Sequence, residues 1–118
     1  MTYVSGYLLA VPVANKNDYL VLARKMGPIF KKHGAIRVVE TWGVDVPDGK
    51  VTSFPMATKA KPDEAVVFSW VEWPSKEIAD AGINNAMNDP ALAGESAADM
   101  PFDGMRMMWG GFDLIYDE

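Results

Sequence analysis

The chain has 118 residues, a net charge of −5, and a composition that is 49% hydrophobic and 23% charged. This balance implies one globular domain over 1–118 with enough apolar content for a core. It excludes a bilayer-spanning helix, because no apolar run approaches the ~20 residues required, and the acidic balance argues against nucleic acid and membrane surfaces as partners. Cysteine is absent and there is one histidine, so disulfides, thiolate nucleophiles and multi-histidine metal centres are excluded, and neither a metal nor an organic cofactor is expected. The absence of cysteine fits the cytoplasm, and the start, Met1 to Tyr7, lacks the basic stretch of a secretory leader.

The charge is unevenly spread. Lys16, Arg24, Lys25, Lys31 and Lys32 fall within the first helical pattern, whereas Arg106 is the one base after Lys76. Two unlike patches of this kind either attract across a dimer or serve as solvated surface.

In chain order, Tyr3 to Val13 predicts a strand that is largely apolar on both faces, so both faces are expected to be covered. Asn15 suits an N-cap and Asp18 the first turn of a helix over Lys16 to His33, with Pro28 inside it and Gly34 as its left-handed stop. Ala35 to Val46 predicts the second strand, with Ile36, Val38, Glu40, Trp42, Val44 and Val46 on one face, and Pro47–Lys50 a turn. Ser53 before Phe54-Pro55 predicts a short helix, and Lys59 to Glu64 an exposed loop. Ala65 to Trp73 predicts the third strand. Ser75 caps a second long helix running to about Asn88, weakened by Gly82. Pro90 to Pro101 reads as a short helix or turn, and Phe102 to Tyr116 as the last strand. That strand, rich in Met and Trp with the pair Gly110-Gly111, suits either a cavity wall or a subunit seam.

This order is strand, helix, strand, strand, helix, strand. It predicts an α+β, ferredoxin-like βαββαβ domain whose four-stranded antiparallel sheet carries both long helices on one face. The apolar content of the other face predicts a homodimer joined through it.

The stretches Glu40-Thr41-Trp42-Gly43-Val44-Asp45-Val46-Pro47-Asp48-Gly49, Phe68-Ser69-Trp70-Val71-Glu72-Trp73-Pro74-Ser75 and Met105-Arg106-Met107-Met108-Trp109-Gly110-Gly111-Phe112 resemble the YbaA-like family of small bacterial proteins, and the resemblance covers essentially the whole chain. It implies a dimeric α+β barrel, two ferredoxin-like subunits joined sheet to sheet. The family has no assigned function, so no catalytic residues carry over. The wider superfamily includes cofactor-independent monooxygenases, isomerases and haem-degrading enzymes, and the fold alone selects no reaction.

The candidate pocket residues are Glu40, Trp42, Trp70, Glu72, Arg106, Met108 and Trp109, with His33 as a weaker candidate. If Val46 lies opposite Val66, then Trp42 meets Trp70 and Glu40 meets Glu72. Two adjacent carboxylates need a cation or a shared proton. Arg106 could be that cation, and a Glu with a raised pKa could act as a base on an acidic carbon. In the competing reading the two Glu sit at solvated strand ends in a slipped register, and the Trp and Met residues fill the barrel or its interface. Arg106, set in an apolar strand, needs a carboxylate partner wherever it is buried, with Glu72 or Glu40 the first choice. Two functions remain open. One is binding a small aromatic or polyketide-like metabolite between sheet and helices, with or without its conversion by a cofactor-independent monooxygenase or isomerase. The other is a non-catalytic dimeric module that binds a ligand or protein.

Overall fold

A computed structural model describes residues 2–95 and 99–118. The chain forms β1 (Tyr3–Pro12), α1 (Lys16–Lys32), β2 (Arg37–Trp42), α2 (Phe54–Thr58), β3 (Glu64–Trp73), α3 (Lys76–Met87) and β4 (Met108–Asp113). The four strands make one antiparallel sheet in the order β2-β3-β1-β4. The fold is therefore α+β, as its alternation of strand and helical patterns predicts.

Strand pairing places Ser5, Tyr7, Leu9 and Val11 of β1 on the same face as Val67, Ser69 and Val71 of β3. This is the face that α1 and α3 cover. Leu9, Val11 and Val67 pack there with Tyr19 of α1, and Val71 and Trp73 pack with Ala79 of α3. Trp73 is fully buried and donates from its indole to Ser5 Oγ at 3.2 Å. The Phe30 ring meets it edge-on at 6.2 Å. Gly82 of α3 gives that indole its room: a Cβ there would lie 2.4 Å from the Trp73 ring and 2.6 Å from the His33 carbonyl oxygen.

The opposite face carries Leu8, Phe68, Trp70 and Phe112. Phe68 and Phe112 are 50% and 60% exposed, which leaves an apolar surface uncovered among the described residues. At one end α2 reaches it, where Phe54 stacks on Phe68.

The caps expected at Ser53 and Ser75 form, each hydroxyl accepting from the backbone N–H three residues on. Pro28 lies inside α1, and Gly34 follows it with φ +113°. Four expectations are corrected. Asn15 does not cap α1 with its side chain, because a 3-10 turn over Val13–Asn15 already leads into the helix; its amide donates to the Pro101 carbonyl instead. The second strand ends at Trp42, not Val46, because the chain leaves the sheet after Gly43 and Val44 is solvent-exposed. Glu64 belongs to β3, not to the preceding exposed loop. The last strand begins at Met108, not Phe102, because the Asp103 carboxylate accepts from Met105 N–H and folds Gly104–Arg106 into a 3-10 turn. Within the region expected as a short helix or turn, Pro90–Leu92 forms a 3-10 turn and residues 96–98 lie outside those described.

Candidate functional site

Between the sheet and α1 and α3 lies a cavity of about 530 Å³. That volume falls in the range of ordinary small-molecule sites, roughly 300–1,000 Å³. Its helical wall is apolar, with Leu22, Met26 and Phe30 from α1 and Ile83 and Met87 from α3. Met100, Phe102 and Met107, from the segment before β4, complete that wall.

The sheet supplies the polar groups. Antiparallel register sets Glu40 of β2 opposite Ser69 of β3, Ser69 opposite Tyr7 of β1, and Tyr7 opposite Trp109 of β4. One transverse row thus crosses all four strands on the cavity side. Tyr19 of α1 reaches down to this row, and its hydroxyl donates to Glu40 Oε1 at 2.6 Å. Glu40 lies on the edge strand β2 and is solvent-exposed as a residue, although protein surrounds much of its carboxyl.

That environment displaces three titrations. Burial pushes the Glu40 carboxyl up, while hydrogen bonds from Tyr19 and Ser69 offset part of the effect. Burial also raises Tyr19, and the neighbouring Glu40 charge adds to it. Tyr7 is raised for the same two reasons, with Ser5 opposing. Both phenols therefore stay protonated as donors, and a carboxylate of enhanced basicity faces the same space. Such a group can accept a hydrogen bond from a ligand or remove a proton from it.

The residues singled out in the sequence separate. The predicted pairing of β2 with β3 is off by three positions, and Arg37, not Glu40, lies opposite Glu72. An odd slip reverses the faces, so Glu40 faces the cavity and Glu72 the uncovered side. There Glu72 accepts from the Trp70 indole at 3.0 Å and stands 3.6 Å from Arg37 Nη1. Met108 shares that side, and its neighbour Met107 lines the cavity. Trp42 packs on the Leu9 cluster with the Lys16 ammonium 5.3 Å above its ring, and lines a separate cleft with Val13, Val66 and Glu64. Trp109 forms the cavity rim and is 74% exposed.

Arg106 does find a buried carboxylate, but it is Glu64, not Glu40 or Glu72. Its two terminal nitrogens each donate to a Glu64 oxygen at 2.7 Å, and Nε donates to Asp103 at 3.1 Å. Lys61 N–H also donates to Glu64 Oε1, and the Lys59 carbonyl accepts from Arg106. Both carboxylate oxygens are occupied by protein donors, so this is a structural clamp. His33 pairs with Asp89 at 2.7 Å, joining the C-terminal ends of α1 and α3 away from the cavity lining. Among the described residues, no group of three or more carboxylates and imidazoles could hold a metal ion.

Tyr7, Tyr19 and Ser69 escape the sequence reading. Tyr19 fits the apolar helix pattern and gives no sign that its hydroxyl is needed. Ser69 does carry a signal: it is a polar residue within an apolar strand, and it is 4% exposed.

A family model described as "Protein of unknown function (DUF1428)" matches residues 2–104. The "Uncharacterized protein YbaA" of Escherichia coli strain K12 is 53% identical over 118 residues, covering 100% of both chains. The Shigella flexneri protein of the same name matches with the same identity and coverage. No helix among the described residues is long and apolar enough to cross a membrane.

Proposed function

The chain belongs to the DUF1428 family of proteins of unknown function, and from that premise we propose that it binds a small aromatic or polyketide-like metabolite in the cavity between sheet and helices. In this reading the chain is a single ferredoxin-like domain, and two copies join sheet to sheet as a dimeric α+β barrel in the cytoplasm. The observation that carries the binding role is the cluster of Glu40, Tyr19, Ser69 and Tyr7 on the sheet side of a mostly apolar cavity. A solid core has no use for a carboxyl with a raised pKa, whereas a site that holds a polar group on a greasy molecule does.

Where the ligand has an acidic C–H beside a carbonyl, Glu40 takes the proton and the electron pair delocalises onto the carbonyl oxygen. The Tyr7 hydroxyl, on the same row of the sheet, is the donor to that oxygen, and return of the proton at another carbon completes an isomerisation. Where that carbon carries a second hydrogen, capture of the same carbanion by dioxygen gives a hydroperoxide, and cleavage of its O–O bond with loss of water leaves a new carbonyl, which is the monooxygenase variant.

The binding test is titration with 2-naphthol, read through quenching of tryptophan fluorescence at the rim residue Trp109. Saturable quenching is expected, and filling the cavity with Met26→Trp should abolish the binding, read by calorimetry for that variant. Non-saturable quenching, or binding that survives the filled cavity, would overturn the reading.

The dimer rests on the uncovered apolar face. Sedimentation at micromolar concentration should give twice the chain mass, and Phe68→Asp should give the single-chain mass, because a carboxylate at the centre of an apolar seam is left unpaired. A monomeric parent chain contradicts the assembly.

A further inference from the structure

The charges around the cavity are one-sided. Among the described residues its lining includes two acids, Glu40 and Asp80, and no Lys, Arg or His. Asp80 is engaged by Lys76 at 2.6 Å along α3. Glu40 has only neutral donors: the Tyr19 hydroxyl at 2.6 Å and the hydroxyl of Ser69 beside it. A carboxylate held this way satisfies part of its hydrogen-bonding capacity and leaves its charge without a counter-charge.

The same space is lined by aromatic rings. Tyr3 and Tyr7 rise from β1, Tyr19 and Phe30 descend from α1, and Phe102 and Trp109 stand at the segment before β4 and at the rim. Aromatic rings present negative potential to whatever lies over their faces, so this lining and the carboxylate favour the same sign of ligand charge. A bound carboxylate or phosphate would meet Glu40 with no cation to hold it. A protonated amine would meet both the missing counter-charge and the rings.

From this arrangement we infer that the cavity selects an apolar organic cation, an aromatic or alkyl amine whose ammonium group sits against Glu40, and rejects carboxylates and phosphates. The inference rests on the cavity being a small-molecule site and specifies the charge of its ligand. Tyr19 then acts as a positioning residue: by donating to one oxygen of Glu40 it fixes the carboxylate and leaves the other oxygen turned toward the ligand and Ser69. The apolar remainder of the molecule lies among Met26, Met87 and Met107, whose unbranched side chains adapt to irregular shapes.

Three probes of one shape separate the possibilities: 2-naphthylmethylamine, 2-naphthylmethanol and 2-naphthoate, each titrated into the full chain by calorimetry at neutral pH. The amine is expected to bind at least about tenfold more tightly than the alcohol, and the naphthoate not at all, because the ammonium alone brings a counter-charge to Glu40 whereas the carboxylate brings a like charge. Glu40→Gln should remove the amine's advantage, bringing amine and alcohol to within about twofold of each other, while circular dichroism of the same variant reports an intact fold. Equal binding of amine and alcohol to the parent chain would overturn the inference and leave the cavity reading standing. Preferential binding of the naphthoate would also overturn it. Failure of all three to bind would overturn the cavity reading together with the inference.

Discussion

Replacing Arg106 with methionine lowers the melting temperature by about 10 °C or more. The Glu64 side chain is 3% exposed and faces the guanidinium through two parallel hydrogen bonds of 2.7 Å. Removing the cation strands a charged carboxylate that the chain cannot turn out to water, since β3 begins at Glu64 itself. Deleting one partner of a buried pair is the costly change; replacing both is much less so. The double variant Arg106→Met with Glu64→Leu therefore recovers a large part of the loss. Thermal unfolding by circular dichroism measures both, and a single variant as stable as the parent chain would show that the clamp is dispensable.

The clamp also fixes a pH dependence. Hydrogen bonds from Arg106 hold Glu64 at a pKa of about 2, well below the ordinary carboxylate range. An unfolded Glu binds its proton near pH 4.3, so between these values the unfolded chain holds more protons than the folded one. Stability from this group is thus complete above the unfolded pKa and is lost as the pH falls toward 2. Asp89 acts in the same direction, held low by the Ala91 N–H, then by His33 and Lys32. In Arg106→Met the acid limb due to Glu64 flattens and the limb due to Asp89 persists.

Gly82→Ala should destabilise the chain by about 2 kcal/mol, although alanine is the better helix former by ~1 kcal/mol. The new methyl carbon would lie 2.4 Å from a fully buried indole and 2.6 Å from a backbone carbonyl. Neither can swing aside as the tip of a flexible side chain would. Overpacking at a tight site costs about 1–3 kcal/mol, here at the upper end, and exceeds the helix gain. Urea unfolding of Gly82→Ala measures the balance. A rise in the midpoint would mean that α3 shifts freely over Trp73.

Gly82 also illustrates what the sequence could and could not reveal. From the sequence it is a flaw in a weak helix. In the fold it is the gap into which Trp73 fits, and that gap is made by two residues on different elements, β3 and α3. Periodicity is local, so the strand and helix patterns were legible, as were the serine caps and the short helix after Ser53. Register is not local. Whether Glu40 meets Glu72 or Ser69 depends on where the chain enters and leaves two strands joined through α2, and an error of odd length exchanges cavity for exterior. Arg106's need for an acid was likewise legible from its apolar neighbours, whereas its partner stood among residues that read as a polar loop, Lys59 to Glu64. Glu40 survives as a cavity residue because its alternation with Val38 is intrinsic to its own strand.

The cavity wall formed by Met100, Phe102 and Met107 belongs to no helix or strand that builds the sheet's main contacts. It hangs from two pegs, Arg106 on Glu64 and Asn15 on the Pro101 carbonyl. Phe102 and Met107 are packed against the buried Leu9, Val11, Tyr19 and Val67, so exchanging either side chain reshapes the chamber and disturbs the core at once. The shape of the chamber and the stability of the fold are thereby coupled through two side chains that belong to neither helix nor strand.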